Sequence, residues 1–358
     1  MAKFALRLEA RPAPSRLMSW LSPVLAVLLT VLCGALLFLA LGHDPVAGLA
    51  VFFVEPLRDA HGWSELGLKV APLLLIAVGL AICFRANIYN IGAEGQLTLG
   101  AICGGAAALY LDDGVGGAAL IGVSLLAGMA GGMAWAGLVA WLRDRYNASE
   151  ILVSLMLVYI AQLLLSYLVY GVLRDPEGFN FPQSKLLSDG LLLPMVISDT
   201  RLHLGIVFAL LASLGGWLYL SRSIAGFRLR VGGMAPAAAR YAGFSSRKTL
   251  WSSLLICGAL SGLAGACEVL GPMGQLTPTV SPGYGFAAII VAFVGRLHPV
   301  GVIFSSFVMA LFYIGGELAQ SRLGLPSAIT GVFQGILLFA LLACDVLIQY
   351  KLRWRKHG

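Results

Sequence analysis

The sequence predicts an all-α, polytopic membrane protein of about ten transmembrane helices, with both termini on the cytoplasmic side. Three observations predict it. Of the 358 residues, 59% are hydrophobic and 11% charged, where a water-soluble chain carries about 25% charged residues. Long apolar runs recur from one end to the other, and a hydrocarbon core about 30 Å thick needs roughly 20 such residues per helix. Basic residues collect in alternate connections, as the positive-inside rule requires.

Taken in order, the candidate spans are 22–42, 66–84, 88–111, 117–142, 150–173, 202–221, 249–270, 283–296, 300–320 and 327–349. The first follows Lys3, Arg7, Arg11 and Arg16, as a signal peptide would. Its apolar run of about 19 residues is too long for a usual h-region, and no small-x-small cleavage site follows, so a retained anchor is expected. The eighth is too short for a comfortable crossing; it begins earlier, near Leu276, or is a helix broken after Pro282. The expected layout is a single membrane domain over 1–358: an inner segment 1–21, a membrane region 22–349, a large inner loop 222–248 and an inner tail 350–358. In this layout eighteen basic residues lie inside and six outside. Asp44, Glu55, Asp59, Asp112, Asp113, Asp175 and Glu177 lie outside. The net charge of +7 is thus topological, and no nucleic-acid partner is needed to explain it. The outer run Val51–Val54 suits the membrane surface, and the outer loop 174–201 suits a soluble partner.

Helices in lipid gain little from apolar contact with each other, so small residues must let them approach. Among 44 glycines, the spacings Gly100–Gly104, Gly128–Gly132 and Gly258–Gly262 meet that need. The six cysteines and five histidines are dispersed, with no CxxC, so neither a disulfide framework nor a metal site is expected. No Gly-Lys dipeptide occurs, which excludes a P-loop and ATP binding of that kind by this chain. HExxH and GxSxG are also absent, so nothing points to an enzyme.

Polar residues inside spans are costly and mark functional candidates. Here they are Asn87, Asn90, Glu94, Gln96, Glu150, Gln162, Glu268, Gln275, Glu317 and Gln334. The densest group is Arg85-Ala-Asn-Ile-Tyr-Asn-Ile-Gly-Ala-Glu-Gly-Gln96. Two glycines and two asparagines at a helix entry predict irregular backbone, tolerated at membrane depth only where protein or a water-filled cavity covers it. Such breaks border transport pathways. Two readings of Glu94 stand open, a contact to solute or a tie between neighbouring helices.

Residues 87–101, Asn-Ile-Tyr-Asn-Ile-Gly-Ala-Glu-Gly-Gln-Leu-Thr-Leu-Gly-Ala, resemble the signature of permease subunits of bacterial ABC importers. The branch resembled is that of nucleoside and simple-sugar permeases, related to the branched-chain amino-acid permeases. Residues 150–157, 233–243, 281–286 and 295–299 resemble further family segments in the same order, so the resemblance covers about 64–349. Ala235 and Leu297 depart from it, standing where Asn is common.

The resemblance implies a permease of the bacterial inner membrane that works as a dimer, with a second homologous permease or with itself. It also implies two cytosolic ATPase subunits that bind the ATP, an extracytoplasmic substrate-binding lipoprotein, and no cofactor on this chain. The ATPase is expected to dock on Pro236, Ala239, Arg240, Tyr241 and Gly243, a small helix with a Gly stop. Asn87, Asn90, Glu94, Gln96, Glu268, Gln275 and Tyr284 are the expected pathway residues. Tyr284 suits stacking on a nucleobase as well as anchoring at an interface. Nucleosides are the expected solute, with sugars and branched-chain amino acids as alternatives. A secondary transporter using Glu94, Glu268 or Glu317 as an ion site is the competing class.

Overall fold

The computed structural model describes residues 4–356 except 12, 14, 113–116 and 199. Lys3 and Asp113, counted above among the inner and outer charges, lie outside the described residues. In chain order the elements are β1 (Phe4–Ala10), α1 (Arg16–Ala40), α2 (Pro45–Leu49), α3 (Ala60–Arg85), α4 (Ala93–Leu111), α5 (Ala118–Tyr146), α6 (Glu150–Tyr170) and α7 (Gly205–Arg222), then α8 (Ile224–Met234), α9 (Pro236–Tyr241), α10 (Ser246–Glu268), α11 (Tyr284–Val294), α12 (Pro299–Leu323), α13 (Ile329–Gln349) and β2 (Tyr350–Lys356). Serines start several helices, because a side-chain oxygen there satisfies an orphan N–H. Ser15 accepts from Met18, Ser149 from Leu152, Ser223 from Gly226 and Ser245 from Lys248.

Eight of the described helices are long and apolar enough to cross a bilayer, against the ten spans expected. The two remaining spans correspond to α4 and α11. α4 has 19 residues, but Glu94 and Gln96 lower its hydropathy. It tolerates them because its first ten residues are buried in protein. α11 has 11 residues, about 16 Å of rise, half a crossing. The break expected after Pro282 falls at Gly283, where φ is 93°.

The chain divides into two compact units. The first comprises residues 1–62 and 311–358. There α1 packs beside α13, and Phe38, Phe52, Phe53, Phe312 and Phe333 form an aromatic cluster in which Phe52 stacks on Phe333 at 4.3 Å. β1 and β2 pair antiparallel from Phe4↔Lys356 to Ala10↔Tyr350. This small sheet was not anticipated in an all-α chain, and it joins the segment before α1 to the segment after α13. The outer run after α2 is a wide helical turn over Ala50–Val54, and Arg322 pairs with Glu55 at 2.5 Å.

The second unit, residues 63–310, carries the candidate site. Its centre is α3, buried without interruption from Val70 to Phe84. Beside it, α4, α5 and α10 meet on the three glycine pairs singled out in the sequence. Gly100 faces Gly262, Gly132 faces Gly258 and Gly262, and Gly128 faces Gly262, backbone to backbone, while Gly128 also meets the Ala266 methyl group. The outer loop 171–204 is strapped onto the end of α10 rather than standing free. Ser184, Leu187 and Leu193 donate backbone bonds to the carbonyls of Leu276, Gly274 and Leu270 at 2.9, 2.9 and 2.7 Å.

Candidate functional site

The segment between α3 and α4 is irregular, as expected, and it re-enters the protein. α3 ends in a Schellman motif: Ile88 N–H reaches the Cys83 carbonyl and Asn87 N–H the Phe84 carbonyl, both at 3.0 Å. That motif needs a left-handed residue at its turn, and Asn87 supplies it with φ 59°. Asn87 is exposed and borders an inner-face cavity of about 390 Å³, together with Arg143, Asp144, Glu150, Arg228, Pro236 and Arg247. Its observed part is to stop α3.

Asn90 is fully buried. Its Nδ2 donates to Gln96 Oε1 at 3.1 Å and to Cys257 Sγ at 3.2 Å, while its Oδ1 accepts from Gly92 N–H at 3.0 Å and from Gln96 Nε2 at 3.3 Å. Cys257 sits about 16 Å along α10 from its inner start, Ser246. The irregular backbone therefore lies well inside the protein, with its polar groups paired to one another. Ile91 N–H donates to Ser154 Oγ at 3.2 Å, tying the segment to α6.

Glu94 is 2% exposed, and its Oε2 accepts from Gly285 N–H at 2.6 Å. The Ser281 hydroxyl and Gly283 N–H also reach this carboxylate. Ser281 Oγ in turn accepts from Gly283 and Tyr284 N–H at 3.1 and 3.0 Å. Two sequence motifs 191 residues apart thus meet in one network, and of the two readings of Glu94 the helix tie is the contact observed. Tyr284 is 2% exposed, with Lys69 Nζ 5.9 Å from its ring centre. It faces protein, so the exposed interface anchor is not what forms.

Glu268 and Gln275 lie at the outer end of the unit. Glu268, the last residue of α10, is 5% exposed and interacts electrostatically with Lys69 and Arg201; Arg201 also pairs with Glu65 at 3.6 Å. Gln275 is half-buried, and its Oε1 has no hydrogen-bond partner. Sequence reasoning missed His203, which is dispersed among apolar residues. Its Nδ1 accepts from Gly205 N–H at 3.0 Å, and burial lowers its pKa to about 4.

On the inner face, α9 forms over Pro236–Tyr241 with Pro236 in its first turn. Gly243, with φ 75°, ends it in a second Schellman motif: Phe244 N–H to the Ala239 carbonyl and Gly243 N–H to the Arg240 carbonyl, at 2.9 and 3.0 Å. Ala239 is buried, Arg240 is exposed and Tyr241 is 97% exposed. Next to it, Asp144 pairs with Arg247 at 2.7 Å and accepts from Trp251 Nε1 at 3.1 Å, and Arg143 pairs with Glu150 at 3.3 Å. Burial, with Arg85 nearby, lowers the pKa of His298. Among the described residues no group of three or more His, Cys, Asp or Glu is placed to hold a metal ion.

The family model of the branched-chain amino acid transport system permease component matches residues 64–342. The chain belongs to this family. The permease is 32% identical over 356 residues to a glucose ABC transporter permease protein of Haloferax volcanii, covering 97% of this chain and 93% of that one. It is 32% identical to a guanosine ABC transporter permease protein of Bacillus subtilis, covering 90% and 93%. A nucleoside ABC transporter permease protein of Lactococcus lactis is 26% identical, covering 89% of each chain. The chain is a multi-pass permease subunit of an ABC importer, in the nucleoside and sugar branch that residues 87–101 indicated.

Proposed function

We propose that this permease forms the translocation pathway for nucleosides in an importer driven by separate ATPase subunits. The observation that carries the solute is the pair of guanosine and nucleoside permeases that match nearly its whole length. The glucose permease, matching at the same identity as the guanosine one, favours a second reading in which the solute is a simple sugar. A sugar ring bearing hydroxyls is common to both chemistries; the flat base is not.

In this reading the chain sits in the bacterial inner membrane beside a second homologous permease or a copy of itself. ATP and its hydrolysis belong to the ATPase partners, and the chain carries no cofactor of its own. Support for the docking side is α9, a capped helix on a basic inner loop with Arg240 and Tyr241 exposed. Support for a capture lipoprotein on the other side is the outer loop 171–204, whose tip exposes Phe179 and Phe181. Asn90, Gln96 and Glu94 shape the pathway by fixing buried backbone, while Glu268, Gln275 and Tyr284 are the groups nearest its outer half.

The test is uptake of radiolabelled guanosine, uridine and glucose by vesicles holding the whole complex. Uptake of nucleosides that excess glucose does not suppress supports the proposal. Uptake of glucose alone replaces the solute with a sugar.

A further inference from the structure

α11 differs from the spanning helices in being short, bounded at both ends by left-handed residues, and in contact with both the inner face and the buried motif. We propose that α11 is a hinged half-helix that carries movement of the docking face to mid-membrane, with Glu94 as the positioning residue that holds its outer end. The proposal rests on the reading of α9 as the ATPase dock.

The hinges are set by backbone. α11 begins after Gly283 at φ 93° and ends at Arg296 and Leu297, at φ 58° and 53°. Left-handed conformation is uncommon for residues such as these two. Here it closes a third Schellman turn, with Leu297 N–H on the Ala292 carbonyl at 2.8 Å and Arg296 N–H on the Phe293 carbonyl at 3.0 Å. Ser305 Oγ donates to the Val291 carbonyl at 2.7 Å, so α11 and the start of α12 form one hairpin. A stiff hairpin with a left-handed glycine at its outer end can pivot without breaking helical bonds.

The drive reaches its inner end through contacts already in place. Phe293 stacks on Phe84 at 5.1 Å, in the last turn of α3. Gly233, just before α9, lies flush on the Arg85 carbonyl and on Ala86, where a Cβ would sit 2.9 Å from the Ala86 carbonyl carbon. The last turn of α8, which leads directly into the docking helix α9, therefore bears on the α3 stop, and the α3 stop bears on α11. At the other end, Glu94 grips Gly285, Gly283 and Ser281, and Asn90 locks the segment that carries Glu94 onto Cys257. A push from the inner face thus turns α11 about a fixed outer point.

The test uses the whole complex in proteoliposomes and reads solute moved per ATP hydrolysed, comparing Glu94→Ala, Glu94→Gln and Gly233→Ala with the unaltered chain. Loss of a buried charge-assisted hydrogen bond predicts a fall of about tenfold or more in that ratio for Glu94→Ala. Glu94→Gln keeps an acceptor for Gly285 and is expected to retain most of it. Gly233→Ala, in the last turn of α8 and outside the Glu94 network, is expected to lower the ratio while assembly persists. An unchanged ratio in Glu94→Ala, or equal losses in Ala and Gln, overturns the role of Glu94. Should Glu94→Ala fail to assemble, an unchanged ratio in Gly233→Ala overturns the route. An unaltered complex that binds no ATPase would instead sink the proposed function.

Discussion

Replacing Gly262 by Ala adds one methyl group at the point where α5 and α10 touch. Its Cβ would lie 3.0 Å from the Gly132 Cα and N and closer still to the Gly128 carbonyl oxygen. Every obstacle is backbone of α5, so no side chain can swing aside, and the helices must separate by several tenths of an ångström. Overpacking of this kind costs about 1–3 kcal/mol, which lowers the folded-to-unfolded ratio about 5- to 160-fold. Gly122→Ala on α5 is the control, because nothing lies within 4 Å of its Cβ and Ala is the better helix former. Unfolding in mixed micelles, titrated with SDS and followed by tryptophan fluorescence, measures both. Gly262→Ala should unfold at clearly lower SDS, and Gly122→Ala at equal or higher SDS. Equal stability of Gly262→Ala and the unaltered chain would refute glycine-mediated packing as the cause of this contact.

Asn87→Ala is expected to destabilise by about 1 kcal/mol, because Ala pays more for a left-handed turn, whereas Asn87→Gly should cost little in the same titration; equal losses would remove the turn argument. His203 is held at about 4 by burial, below its unfolded value of about 6.5. As pH falls, the unfolded state takes up the proton first. This contribution is therefore complete above roughly pH 6.5 and is lost on the way down to 4, about 3 kcal/mol at most. His203→Gln should flatten that part of the stability–pH curve, and an unchanged slope would contradict the assignment. Arg240→Ala, or deletion of 236–241, should lower ATPase stimulation by the permease while membrane insertion persists; unchanged stimulation would take the docking role away from α9.

Much of the architecture was legible because lipid imposes simple rules. Apolar run length located the helices, and the glycine pairs named the faces that α4, α5 and α10 turn to one another. The Pro-to-Gly pattern over 236–243 delimited α9, since both residues act through local backbone. The break around Asn87–Gly92 was equally local. What the sequence hid were contacts between distant segments. Glu94 stood out as a carboxylate within a span, but nothing in the sequence marked Gly285 as its partner, and Asn90 gave no sign that its partner would be Cys257. Pairing of β1 with β2 links opposite ends of the chain. Their basic residues read naturally as tails, although the alternation Phe4-Ala-Leu-Arg-Leu-Glu-Ala10 carries a period of two. α4 and α11 show the limit of run length, because a helix enclosed by protein need be neither fully apolar nor full length.

The central claim is that solute crosses only when another chain supplies the power. Purified permease in liposomes, challenged with labelled nucleoside under a proton or sodium gradient and then again after its ATPase and permease partners and ATP are added, measures this directly. The account expects no accumulation in the first condition and ATP-dependent accumulation in the second. Accumulation by the isolated chain under an ion gradient alone would contradict it.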